Sequence, residues 1–157
     1  MTIRVGFGYD VHAFAAGRPL VLGGVTIPFE QGLSGHSDAD AVIHAVVDAL
    51  LGAAALGDIG TYFPSHDPRW KDQPSFVFLE YTHDLLDQHH WQIGNIDVTI
   101  VAERPKLAPH IQAMRSHLAE HLHIPIEQVS VKATTTDGLG FAGRREGIAC
   151  YAIALLS

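Results

Sequence analysis

The segment from Ala41 to Leu56 is the strongest constraint on the fold. It is rich in Ala, Leu and Val, yet Asp40, His44 and Asp48 recur through it at four-residue steps. Four-residue spacing stacks side chains on one helical face. The segment is too short and too polar to span a bilayer, so it reads as a buried helix carrying a polar stripe into the interior. The pattern predicts a helix over 38–55, capped at its N-terminus by Ser37 or Asp38 and stopped by Gly57 and Gly60.

Around this helix the hydrophobic period alternates between two and about 3.6. Ile3 to Tyr9 and Leu20 to Ile27 read as strands, the second pair forming a hairpin at Gly23-Gly24, where glycine supplies positive φ. Ile96, Val98, Ile100 and Ala102 alternate with Asp97, Thr99, Val101 and Glu103, the signature of a half-buried strand. Gln128 to Thr134 and Gly147 to Leu155 give two more strands, linked by a glycine-rich turn. Further helices are predicted over Ser75 to His89 and over Leu107 to Leu122, where Leu107, Ile111, Met114, Leu118 and Leu122 recur at three- and four-residue steps. The mixture implies an α+β fold, a mixed β-sheet with helices packed on one face.

With 157 residues, 47% of them hydrophobic, the chain suits one substantial core. No repeat or linker divides it, so residues 1–157 are expected to form a single domain. Thr61 to Pro74, with three prolines, is the longest loop and the candidate mobile segment. A net charge of -7 gives no electrostatic reason to bind nucleic acid or an anionic membrane, and a phosphate ligand would need metal cations to supply positive charge. No targeting segment is visible, and a cytoplasmic location is expected. The single Cys150, flanked by apolar residues, reads as a buried thiol.

Two constellations carry chemistry. Asp10 and His12 lie two apart immediately after the first strand, and in an extended segment they project to one side, where His44 offers a third ligand. Two imidazoles and a carboxylate suit a zinc ion with an open position, and Asp48, one turn beyond, is placed to orient the His44 ring. Spacing alone leaves alternatives open: a core histidine satisfied by a carboxylate, and a polar turn after a strand. The second constellation is Lys132 to Phe141, in which Thr134, Thr135, Thr136 and Asp137 precede glycines. Hydroxyls and backbone N–H groups there can hold phosphate oxygens and a hard cation; the competing reading is a solvated strand end. Gly138, Gly140 and Gly143 match G-x-G-x-x-G literally, but the segment leads into a strand instead of a helix, which excludes the dinucleotide reading. His83, His89, His90, His117, His121 and His123 read as solvent-exposed residues of polar helix faces. No nucleophile motif is present, which disfavours a covalent acyl-enzyme.

Gly8-Tyr9-Asp10-Val11-His12-Ala13-Phe14, Gly35-His36-Ser37-Asp38-Ala39-Asp40 leading to His44, Gly57-Asp58-Ile59-Gly60, and Lys132 to Gly147 occur in order along the chain. Together they closely resemble the 2-C-methyl-D-erythritol 2,4-cyclodiphosphate synthase family. The resemblance implies a homotrimer with active sites between subunits. It implies cyclisation of a cytidine diphosphate-linked methylerythritol 2-phosphate with release of CMP, in non-mevalonate isoprenoid synthesis. It assigns Asp10, His12 and His44 to zinc, and His36 and Ser37 to the methylerythritol phosphate. Asp58 and Gly60 match ribose contacts. Ala102, Lys106, Leu107, Ala133, Thr134 and Thr135 match the cytidine and diphosphate pocket, Thr135 among the catalytic positions. Phe141 and Arg144 match residues lining a central cavity that can hold isoprenoid diphosphates. Two departures stand out. Asp137 replaces the glutamate that usually holds the second divalent ion, magnesium or manganese, which puts ligation there in doubt, and Ser65 stands where many members have an acid. Two rival readings are a metal-dependent phosphohydrolase and a non-catalytic trimeric binder of prenyl diphosphates.

Overall fold

The computed structural model describes residues 2–157. Strand β1 (Arg4–Ala15) pairs antiparallel with the last strand, and the order of the five-stranded sheet is β4-β1-β7-β5-β6. Its other members are β4 (Gly32–Leu33), β5 (Ile93–Val101), β6 (Val129–Thr134) and β7 (Gly147–Leu156). Only the β5–β6 pair is parallel. The predicted hairpin forms as β2 (Leu20–Leu22) and β3 (Val25–Ile27), turning at Gly23 and Gly24, both at positive φ. Helices α1 (Ala41–Ala53), α3 (Phe76–Gln88) and α4 (Ile111–His121) are the three long ones, with short turns α2 (Ile59–Tyr62) and α5 (Gly140–Gly143). The fold is α+β, as the alternating periods imply.

Register shows how one face of the sheet is covered. Gly8 lies opposite Ala152, Ala152 opposite Val98, and Val98 opposite Val131, so all four positions face the same way. Helix α1 packs on β1 and β7 on that side, and α4 packs on β6. Along β1 this inward side reads Gly6, Gly8, Asp10, His12, while the apolar Val5, Phe7, Tyr9 and Val11 point outward and are exposed. The usual arrangement, apolar side in, is reversed. The cause is the closeness of α1: a Cβ at Gly6 would overlap the carbonyl oxygen of Ala49, and one at Gly8 that of Ala45. Helix α1 lies almost backbone to backbone on β1, which only glycine permits.

The cap of α1 differs from expectation. Asp40, not Ser37 or Asp38, is the N-cap, and its carboxylate accepts from the Ile43 N–H at 3.1 Å. It also accepts from the N–H groups of Gly23 (2.9 Å) and Gly24 (2.6 Å), bolting the hairpin to the helix. Asp40 is fully buried. Burial, with the nearby Asp38 charge, raises its pKa to about 6 against the pull of the three N–H donors. Stranding those donors would cost about 1–3 kcal/mol each. The loop before α3 is less irregular than expected, holding α2 and a 3-10 turn at Pro68–Trp70. No helix among the described residues is long and apolar enough to cross a membrane.

Gly8→Ala is expected to lower the unfolding free energy by about 1–3 kcal/mol, the usual cost of overpacking a rigid contact. Urea denaturation checks this. An unchanged midpoint would mean that α1 does not rest on the strand.

Candidate metal centre and an adjoining cleft

The glycine face of β1 ends where Asp10 and His12 take over the same inward positions. Because α1 lies so close, the first turn of that helix delivers His44 to the same spot. The Oδ2 atom of Asp10 stands 2.8 Å from His12 Nε2 and 3.3 Å from His44 Nδ1, and the two ring nitrogens are 3.3 Å apart. Among the described residues this is the one group of three side chains able to share an ion.

Hydrogen bonds on the far side of each ring decide what these atoms are. His12 Nδ1 lies 2.7 Å from the Ser34 carbonyl, which can only accept, so Nδ1 carries the proton and Nε2 offers a lone pair. His44 Nε2 lies 2.9 Å from Ser75 Oγ and 3.2 Å from Ser37 Oγ. The Ser75 hydroxyl donates to Asp38 Oδ1, so it accepts from His44 Nε2–H and leaves Nδ1 with a lone pair. Three acceptor atoms then face one another with no hydrogen between them, and Asp10 Oδ2 is buried without a hydrogen-bond donor. Such an arrangement fits a cation.

The charges agree. Burial pushes the Asp10 carboxyl up, but the His12 ring and then the His44 ring beside it outweigh this and bring the pKa down to about 2. Burial opposes protonation of His12, yet Asp10 beside it raises the ring above its ordinary value. A bound cation would answer the same demand for positive charge.

The other predicted site residues fall into separate places. Asp48 does not orient His44: its Oδ1 accepts from the Ile59 N–H, the first of α2, at 2.7 Å. That role passes to Ser75, 31 residues from His44, for which sequence spacing carries no signal. Ser37 is buried, with its hydroxyl turned to His44. The His36 ring donates to the Asp67 carbonyl at 3.0 Å. Asp58 caps α2, accepting from the Thr61 N–H and hydroxyl at 2.9 and 2.8 Å, with Gly60 in that turn. Arg18, missed from sequence, donates to the carbonyls of Gly35 and Ser37 and so braces the loop beneath the triad.

A cleft of about 400 Å³ gathers Ala102, Lys106, Leu107, Ala133, Thr134 and Thr135, all six expected together. Glu103, Arg104 and Arg145 join them, an excess of positive charge suited to a phosphate ester. Glu103 Oε1 accepts from the N–H groups of Thr136 (3.1 Å) and Gly138 (3.0 Å), tying the two walls together. Asp137 is exposed, with Thr135 Oγ1 3.5 Å from its carboxylate. Phe141 and Arg144 sit apart on and just after α5, Phe141 37% exposed and Arg144 paired with Glu146 at 3.1 Å. The cleft and the metal triad share no residue. Asp10 lies opposite Cys150 and Cys150 opposite Ile100, so within one chain β7 separates the strands that carry them, by about 10 Å.

His83, His117 and His121 are half-buried instead of exposed. His121 stacks on Phe76 at 4.8 Å and bonds Glu80 at 2.7 Å, fastening α4 to α3. Cys150 is buried as expected.

A family model described as the YgbB family matches residues 3–157. The chain belongs to the YgbB family. Within that family's reach, a 2-C-methyl-D-erythritol 2,4-cyclodiphosphate synthase of Clostridium perfringens is 54% identical over 154 residues, covering 98% of this chain and 99% of the relative. A structure of a 2C-methyl-D-erythritol-2,4-cyclodiphosphate synthase in a CDP-bound form superposes with a TM-score of 0.89 at 37% identity, covering 98% of this chain and all of that one. The bifunctional IspDF of Campylobacter jejuni superposes with a TM-score of 0.90 at 42% identity; 99% of this chain is covered, and it spans 42% of that longer protein.

Proposed function

We propose that this YgbB-family chain is a 2-C-methyl-D-erythritol 2,4-cyclodiphosphate synthase, a phosphorus–oxygen lyase of non-mevalonate isoprenoid synthesis. It converts 4-diphosphocytidyl-2-C-methyl-D-erythritol 2-phosphate to the 2,4-cyclodiphosphate and releases CMP. The observation that carries this is the convergence of Asp10, His12 and His44 on one cation site within a chain whose relatives bear that activity in their names. The single continuous hydrophobic core supports treating residues 1–157 as one domain.

In the reaction an oxygen of the 2-phosphate attacks the β-phosphorus. A new P–O–P link forms, and the bond from that phosphorus to the bridging oxygen breaks, leaving CMP with the electron pair. Attacking and departing groups are both anions, so charge neutralisation and alignment are the whole task. Asp10, His12 and His44 would hold a zinc ion, which, with magnesium or manganese as second ion, would supply Lewis acidity. Lys106 and Arg145 offset charge on the departing CMP, and the Thr134 and Thr135 hydroxyls hold its phosphate. His36 and Ser37 are assigned to the methylerythritol phosphate, Asp58 and Gly60 to the ribose. Asp137, exposed at the cleft's glycine-rich loop, is the side chain that would be offered to the second ion. No side-chain nucleophile is required.

The outward face of the sheet supports a homotrimer. Val5, Phe7, Tyr9, Val11, Tyr151 and Ile153 form an exposed apolar half, while Asp97, Thr99, Ser130 and Lys132 make the other half polar. An apolar patch of this kind calls for a partner surface. Separation of the triad from the cleft within one chain supports assembling each active site from two neighbouring subunits. Phe141 and Arg144 would then line a cavity near the threefold axis, where an apolar ring and a guanidinium suit an isoprenoid diphosphate.

His44→Ala is expected to lower CMP release by more than about 10–100-fold, the loss that removing even an outer partner of a metal ligand causes. Bound zinc should fall with it, and the wild-type product should be cyclic. A linear phosphate product would favour the hydrolase reading, and normal turnover without zinc would reject the assignment. Phe7→Asp, which puts a charge on the outward face, should convert a sedimenting trimer to monomers and abolish turnover; an active monomer would contradict shared sites.

A further inference from the structure

Ser75 contacts neither of the other two triad members, yet its hydroxyl is the nearest group to the outer nitrogen of His44. It is fully buried, so water cannot compete for the contact. Its position is set in advance by the backbone on either side. The Asp38 N–H bonds the Gln73 carbonyl at 3.2 Å, the Asp72 N–H bonds the His36 carbonyl at 2.9 Å, and the Ser75 N–H bonds Asp38 Oδ2 at 2.9 Å. Asp38 therefore grips Ser75 twice, once at the backbone and once at the hydroxyl.

A carboxylate can only accept. The Ser75 hydrogen is thus committed to Asp38, and only a lone pair of Oγ remains to meet His44 Nε2. We infer that Asp38 and Ser75 form a relay that locks His44 in its Nε2–H tautomer, and that this relay, rather than the triad alone, sets the affinity of the site for zinc. The inference rests on the proposal that Asp10, His12 and His44 hold zinc, and it makes Asp38 and Ser75 positioning residues for that ion. The physical reason is general: a hydrogen bond to the non-ligating nitrogen of a metal-bound histidine fixes the ring and strengthens its lone pair, and losing it weakens metal binding about 10–100-fold. Here the carboxylate acts through an intervening hydroxyl. Ser37 Oγ, 3.2 Å from the same nitrogen, is the weaker partner: it is farther away and also accepts from the Ala39 N–H at 3.3 Å.

The two variants act differently. Ser75→Ala removes the acceptor and frees both tautomers. Asp38→Asn can turn its amide NH2 toward Ser75, so that the hydroxyl donates to His44 Nε2 and drives the ring to the wrong tautomer.

The test uses the full chain with 15N-labelled histidine and zinc as the probe. In metal-free wild type at about pH 8, where an ordinary imidazole is neutral, nitrogen shifts and one-bond N–H couplings should show His44 protonated at Nε2. Zinc affinity, read by competition with a chromophoric chelator, should fall about 10–100-fold in both variants. The Asp38→Asn ring should shift toward Nδ1–H. A wild-type His44 protonated at Nδ1 overturns the relay without recourse to any variant. Folded variants that bind zinc as tightly as wild type overturn it too. Should wild type itself bind no zinc, the proposed function fails, while the tautomer measurement still decides the relay.

Discussion

Helix α1 lies on β1 at backbone distance, and the rest of the molecule is arranged around that contact. Gly6 and Gly8 make it possible by presenting no side chain to the carbonyls of Ala49 and Ala45. Because a strand alternates its faces, giving the inward positions to glycine sends Val5, Phe7, Tyr9 and Val11 outward. One local choice thus brings His44 to Asp10 and His12 on one side of the sheet and leaves an apolar surface on the other. The candidate metal site and the exposed apolar face are linked through a single strand.

The triad is a place where ordinary hydrogen bonding is left incomplete on purpose. Each ring has its outer nitrogen satisfied, His12 by Ser34 and His44 by Ser75, so that the inner lone pairs have nothing to meet except one another and Asp10. Like lone pairs in a partly buried space repel unless a positive charge joins them. The low pKa of Asp10 and the raised one of His12 are the same demand seen from two residues. A rigid surround keeps the arrangement from relaxing: Asp40 holds the helix end to the hairpin, and Arg18 holds the loop below.

Much of this was legible in the sequence because it depends on local periodicity. The alternation around Ile96, Val98 and Ile100 marks a strand without tertiary knowledge, and the two-residue step from Asp10 to His12 marks two side chains that can face the same way. The polar stripe on α1 was read less well. Asp40, His44 and Asp48 share a face, but each meets a different element, so one caps the helix, one joins the triad and one holds the first N–H of α2. Ser75 and Glu103 left no trace, since their roles arise from chain segments brought together only by folding. The inverted polarity of β1 was equally hidden, because alternation reveals that a strand has two faces and not which of them the helix covers.

X-ray absorption at the zinc edge, on the purified protein with one equivalent of zinc, tests the central claim most directly. The account predicts two imidazole nitrogens and a carboxylate oxygen at about 2.0–2.2 Å, with a solvent oxygen in the fourth position. A zinc shell lacking two imidazoles, or one unchanged when Asp10, His12 and His44 are all replaced by alanine, would contradict it.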